Sequence, residues 1–176
     1  MARPRKLLVV DADVVIDFCE ADILMLGKVS RYVGQVHILT TVLDEVDQLT
    51  EAKCTELAIV VLDPPVEIVS TVPGRRSGLS INDQLCLAVA KENGWTCVTN
   101  DRALRRACKA VDVESLWGLE TLVLVVEAGG VAAEEALAVA TSIRRENPRF
   151  ITDDIMAAFA ARVERARKAR KKKGPR

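Results

Sequence analysis

Residues 7–10, Leu-Leu-Val-Val, form an unbroken apolar run that stops at Asp11. The run is too short for a helix, and it lacks the apolar–polar alternation of a strand with one face in water. It suits a strand buried on both faces, the kind found in parallel sheets with helices above and below. Similar runs recur at 36–40, 57–63 and 95–99, with a weaker one at 111–116. Stretches of helical periodicity lie between them. That alternation specifies an α/β fold, a parallel sheet covered on both faces in a three-layer α/β/α sandwich.

Residues 14–31 read as helical through Val15, Ile16, Cys19, Ile23, Leu24, Leu26 and Val29. A helix opening at Thr41 places Val42, Val46 and Leu49 on a buried stripe that also carries Glu45, with Asp44 and Asp47 toward solvent. Residues 67–72 fit a helix or a strand, and Pro-Gly-Arg-Arg-Ser-Gly at 73–78 is a loop. A helix starts after Ser80 and exits at Asn93-Gly94. Further helices are expected at 103–109, from Trp117 to Gly129, at 132–145, and from a Thr152 cap with Ile155, Met156, Phe159 and Val163 inward.

The chain has 176 residues, enough for one ordinary domain with a full core. Its zero net charge hides a gradient, because residues 162–176 hold nine Lys or Arg against Glu164 alone, leaving 16 positive and 24 negative charges on residues 1–161. The expected division is a domain over 1–161, including the C-terminal helices, and a flexible basic tail over 162–176 that could grip phosphates. Cys19, Cys54, Cys86, Cys97 and Cys108 are an odd number without a C-x-x-C pair, as expected of reduced core thiols in a cytoplasmic protein. His37, the single histidine, lies in an apolar run and reads as structural, which excludes histidine-based zinc sites and catalytic triads. The start, Met-Ala-Arg-Pro-Arg-Lys and four apolar residues, is too short for a signal core, and no apolar run approaches the ~18 residues of a membrane span.

Chemistry is expected from acids. Asp11 and Asp101 follow strands, and in an open parallel sheet the functional crevice lies beyond the carboxyl ends of the strands, where strand order reverses. Asp101 also suits the cap of the next helix, and Ser80-x-x-Asp83 also reads as a capping box. Glu45 differs, since an unpaired carboxylate on an apolar face carries a large cost. Gathered in one crevice, four carboxylates would repel one another unless a divalent cation joined them. Oxygen donors without histidine or thiolate favour Mg²⁺ or Mn²⁺, ions that can acidify a bound water and direct it at a phosphodiester.

These residues resemble the PIN domain family, which includes VapC-type ribonuclease toxins. The resemblance rests on L-V-V-D-A-D at Asp11, T-V-L-D-E-V at Glu45, S-I-N-D-Q-L-C-L-A-V-A at Asp83 and C-V-T-N-D at Asp101, in that order over roughly residues 6–116. It implies a central parallel sheet of about five strands, here with a helical C-terminal extension. It also implies Mg²⁺- or Mn²⁺-dependent endonuclease cleavage of single-stranded RNA, with Asp11, Glu45, Asp83 and Asp101 as metal ligands and catalytic residues. A toxin of this kind would meet an RNA substrate and an antitoxin protein, and would tend to form a homodimer. Asp13 departs from the Asn or Ser usual two positions after the first acid, and its role stays open.

Asn82, Thr99 and Asn100 read either as donors that orient the carboxylates or as ordinary caps. Arg75, Arg76, Arg102, Arg105 and Arg106 flank the acids and read either as phosphate contacts or as solvated surface. Three rival functions share parts of the pattern. A haloacid-dehalogenase-type phosphohydrolase would also begin with strand-D-x-D, but Val14-Val15 replace its usual Gly-Thr. A phosphorelay receiver would use Asp63 but needs a lysine ending the fifth strand. A PIN-fold nucleic-acid- or partner-binding protein without nuclease activity would keep all four acids.

Overall fold

The computed structural model describes residues 6–74 and 78–173. Five parallel strands form one sheet in the order β3-β2-β1-β4-β5. Strand β1 (Lys6–Val10) has Leu8, Val9 and Val10 almost wholly buried, as its uninterrupted apolar sequence requires. It pairs with β2 (Gly34–Leu39) on one side and with β4 (Thr96–Val98) on the other. Strands β3 (Val60–Leu62) and β5 (Ser115–Leu116) close the two edges. Sheet order therefore reverses between β1 and β4, and Asp11 and Asp101 both leave the sheet beside that switch point.

Among the described residues ten helices cover the sheet. The 14–31 stretch is two helices, α1 (Ala12–Ala21) and α2 (Ile23–Tyr32). Asp22 separates them by closing the first with its N–H and capping the second with its carboxylate. After β2 come α3 (Thr40–Leu43) and α4 (Glu51–Glu56), and after β3 come α5 (Val66–Thr71) and α6 (Ile81–Asn93). Residues 67–72 are thus mainly helical, and Gly94 takes the left-handed exit of α6 at φ 65°. Helix α7 (Arg102–Ala110) joins β4 to β5, and α8 (Gly118–Ala128), α9 (Ala133–Glu146) and α10 (Asp153–Lys173) complete the chain. Helices α1, α2, α8, α9 and α10 pack among themselves, as do α5, α6 and α7, so two helical layers flank the sheet.

Several boundaries differ from the sequence reading. Only 60–62 of the 57–63 run joins the ladder, because Leu57 and Ala58 turn the chain out of α4, Ala58 at φ 59° with its carbonyl held by Ser30 and Gln35. The 111–116 run is a strand only at its last two residues, since Asp112 at φ 57° turns the chain after α7. Ile155 is exposed, whereas Phe159 and Val163 are buried. The segment set apart as a flexible tail stays helical through Lys173. There Val163 and Ala166 are buried, Arg162 binds Glu120, and Arg167 binds Glu134 and Glu164. The loop arginines Arg75 and Arg76 lie outside the described residues.

Gly34 opens β2 opposite Lys6, where an added Cβ would overlap the Lys6 carbonyl oxygen. Gly34→Ala is therefore expected to destabilise the protein by about 1–3 kcal/mol, the usual effect of overpacking. A shift in the urea midpoint of the full chain measures it, and an unchanged midpoint would contradict the close approach of β1 and β2.

Candidate metal and nuclease site

Each of three predicted acids sits at a helix N-terminus. Asp11 ends β1 and caps α1, its Oδ1 accepting from the Ala12 N–H at 2.7 Å. Asp83 lies in the first turn of α6 and completes a capping box, its Oδ2 accepting from the Ser80 N–H at 2.9 Å while its own N–H donates to Ser80 Oγ at 3.0 Å. Asp101 caps α7, its Oδ1 accepting from the Leu104 N–H at 2.7 Å. The capping role that local sequence offered for Asp83 and Asp101 is thus real. It leaves Asp83 Oδ1 and Asp101 Oδ2 without a protein donor among the described residues. Helix N-termini also favour anions, so α1, α6 and α7 make a carboxylate cluster tolerable.

The cluster is electrostatically coupled. Asp11 is only 4 % exposed, and burial, aided by the charges of Asp83 and Asp13, raises its carboxyl to about 7 against the bonds from Thr99 and Ala12. Asp13 is raised by burial and then by Asp83 and Asp101, so it belongs to the same group. Glu45 is linked to these acids only through a shared neighbour. Cys86, buried one turn after Asp83, has its thiol pushed up by burial and by the charges of Asp11, Asp83 and Glu45. Glu45 itself corrects the sequence reading, because α3 stops at Leu43 and Glu45 is exposed in the following turn. Val42, Val46 and Leu49 are buried as expected, but successive turns bury them rather than one long helix.

Thr99 ties the two central strand ends together. Fully buried, it donates from Oγ1 to Asp11 Oδ2 at 2.9 Å and accepts from the Asp101 N–H at 3.0 Å. Asn82 does not touch a carboxylate of the cluster in this arrangement; its amide donates to the Thr41 carbonyl at 2.9 Å and fixes the start of α6 against α3. Asn100 donates to Asp17 Oδ2 at 2.8 Å and accepts from the Gly118 N–H at 3.0 Å. Asp17 is a buried acid that sequence reasoning missed. It also accepts from Asn147, and its carboxyl is raised to about 7 by burial and then by Asp13 and Glu20. No local motif marks it, since both amide partners are distant in sequence.

His37 is structural: its ring stacks on Trp95 at 4.1 Å between centroids, and Nδ1 lies 3.2 Å from the Leu8 carbonyl. The described cysteines are all free. In donor chemistry the crevice fits a hard divalent ion, offering carboxylate oxygens and no imidazole. In position it does not form a closed cage, because among the described residues no three Asp, Glu, Cys or His side chains are placed to hold a metal ion together.

A family model described as PIN domain matches residues 8–110, and the chain belongs to that family. PIN domains are generally metal-dependent nucleases acting on nucleic acid. Among solved structures, a PilT N-terminus domain protein, SSO1118, from the hyperthermophilic archaeon Sulfolobus solfataricus P2 shares the fold at a TM-score of 0.50 and 14 % identity. The match covers 68 % of this chain and 92 % of that one. No curated protein sequence matches. No helix among the described residues is long and apolar enough to cross a membrane.

Proposed function

We propose that this PIN domain protein is an Mg²⁺- or Mn²⁺-dependent endoribonuclease that cleaves single-stranded RNA. Asp11, Glu45, Asp83 and Asp101 would hold the ion and carry the catalysis. The observation that supports this most is Asp11, a carboxyl buried at the switch point of the sheet and raised to about 7 by burial and by Asp83 and Asp13. A divalent cation offsets the mutual repulsion of such a gathering of acids. When bound, the ion supplies a water acidic enough to attack a phosphodiester and positive charge against the leaving oxygen.

The protein's own part is orientation. Thr99 fixes Asp11 Oδ2, the Ser80 box fixes Asp83, and the Leu104 N–H fixes Asp101, each leaving carboxylate capacity for the ion. Asp13 adds negative potential beside them. Glu45 lies exposed in the turn after α3, where it would be free to swing toward a bound ion. Resemblance to VapC-type proteins further suggests the toxin of a type II toxin–antitoxin pair, with an antitoxin protein as partner, a homodimeric assembly and a cytoplasmic location.

The absence of a closed cage among the described residues favours a second reading, a PIN-fold protein that binds RNA or a partner without cutting. Incubating the full chain with labelled single-stranded RNA separates the two. The nuclease reading expects cleavage with Mn²⁺ or Mg²⁺, none in EDTA, and loss in Asp83→Asn and Asp101→Asn. RNA left intact at every metal concentration gives preference to the second.

A further inference from the structure

Arg102, Arg105, Arg106 and Lys109 fall at i, i+3, i+4 and i+7 on α7, so one face of this helix is a stripe of four cations. The opposite face buries Leu104 and Cys108. All four cations line an open groove of about 690 Å³ between α7 and the β5 edge, with Trp117 at its wall. Asp101 caps the start of α7, so the groove along this helix runs away from the acidic end.

The groove is chemically unfinished. Arg105 lies over Trp117 with Cζ 4.1 Å from the ring centroid, and its buried Nη1 has no hydrogen-bond acceptor. Buried donors without acceptors are costly, so the Arg105 head gains if it turns Nη1 toward an oxygen brought into the groove. Among the described residues none of the four cations makes an ion pair with a carboxylate. Of the groove's two acids, Glu114 is already engaged by Lys6 and Thr96, and Asp112 follows the far end of α7. An acidic peptide would satisfy the charges but has no use for a flat guanidinium–indole stack. An unpaired nucleobase extends such a stack, and its phosphates meet the helix cations.

We infer that this groove seats the single-stranded RNA leading into the acidic crevice, its phosphates on Arg102, Arg106 and Lys109 and one base against the Arg105–Trp117 pair. The inference rests on the ribonuclease reading for the strand's identity as substrate, but binding is measured without cleavage. The test is fluorescence anisotropy of an unstructured RNA of about 12 nucleotides with the full chain in EDTA. Trp117→Ala is expected to weaken binding roughly 5- to 100-fold, with Trp117→Phe restoring most of it. Arg106→Gln, at an exposed position that does not threaten folding, should lower the slope of log affinity against log salt by about 0.7. Arg145→Gln on α9 serves as the unaffected control.

In Trp95→Phe, which keeps Trp117 as the sole tryptophan, added RNA should quench the emission. Unchanged affinity and salt slope in both groove variants overturns the inference. So does equal binding of duplex RNA or of polyglutamate through the same residues. Groove-dependent binding without Mn²⁺-dependent cleavage retains the groove and removes the nuclease reading. Cleavage with groove variants that bind like wild type does the reverse.

Discussion

Asp11→Asn is expected to abolish metal-dependent RNA cleavage while leaving the metal-free fold at least as stable as wild type. The loss should exceed the roughly 10- to 100-fold typical of removing a ligand's hydrogen-bonding partner, since here the ligand itself goes. Shape is preserved: the new side-chain carbonyl still accepts from Ala12 N–H, and the Thr99 hydroxyl can rotate to accept from the amide. What disappears is a buried negative charge that Asp83 and Asp13 oppose. A cleavage time course and a metal-free thermal melt on the same preparation check both halves. Cleavage at the wild-type rate, or a collapse of the melt, would contradict the assigned role.

Stability without metal should fall as pH rises from 5 to about 7 and then level off. Asp11 and Asp17 titrate near 7 in the folded chain against an ordinary value of 3.8, so across that window the native state binds more protons than the unfolded one. Each contributes up to about 1.4 kcal/mol per pH unit, present below 3.8 and lost by about 7. His37, lowered by burial from its ordinary 6.5, works in the opposite sense below that value. Saturating Mn²⁺ binds the deprotonated carboxylates, so its stabilising effect should grow with pH. Asp17→Asn should remove its own share of the slope and leave that of Asp11. Urea unfolding in EDTA at several pH values reads these slopes, and stability that rises across the window would contradict the buried, mutually repelling acids.

The legible parts of the molecule were those encoded locally. Strands β1 and β4 and helix α6 carry their signals in adjacent residues: an apolar run closed by an acid, a Ser-x-x-Asp box, an Asn-Gly exit. Those same signals located the helix starts at Asp11, Asp83 and Asp101; Asp11 and Asp101 also follow strands directly and so stand at the sheet's carboxyl edge, whereas Asp83 is marked only by its Ser80 box. Glu45 misled because apolar spacings of four and three arise from a helix or from consecutive turns, and here three neighbouring acids, Asp44, Glu45 and Asp47, all stay in solvent. Asp17 was invisible for the opposite reason: its meaning lies in Asn100 and Asn147, brought to it only by tertiary packing of α1 against α9 and the β4–α7 loop. The basic C-terminus looked loose by composition, yet the small and apolar residues Val163 and Ala166 and the pairing of Arg167 keep it packed. The cations of α7 were named from sequence only as flanking residues. Their shared groove required β5 and Trp117 to be set beside them.

A Mn²⁺-soaked crystal of the full chain, examined by anomalous diffraction, tests the central claim most directly. The account predicts a manganese peak bounded by Asp11, Asp83 and Asp101, with Glu45 drawn toward it and the peak lost in Asp11→Asn. A peak elsewhere on the chain, or none at the β1–β4 switch point at saturating metal, would contradict it.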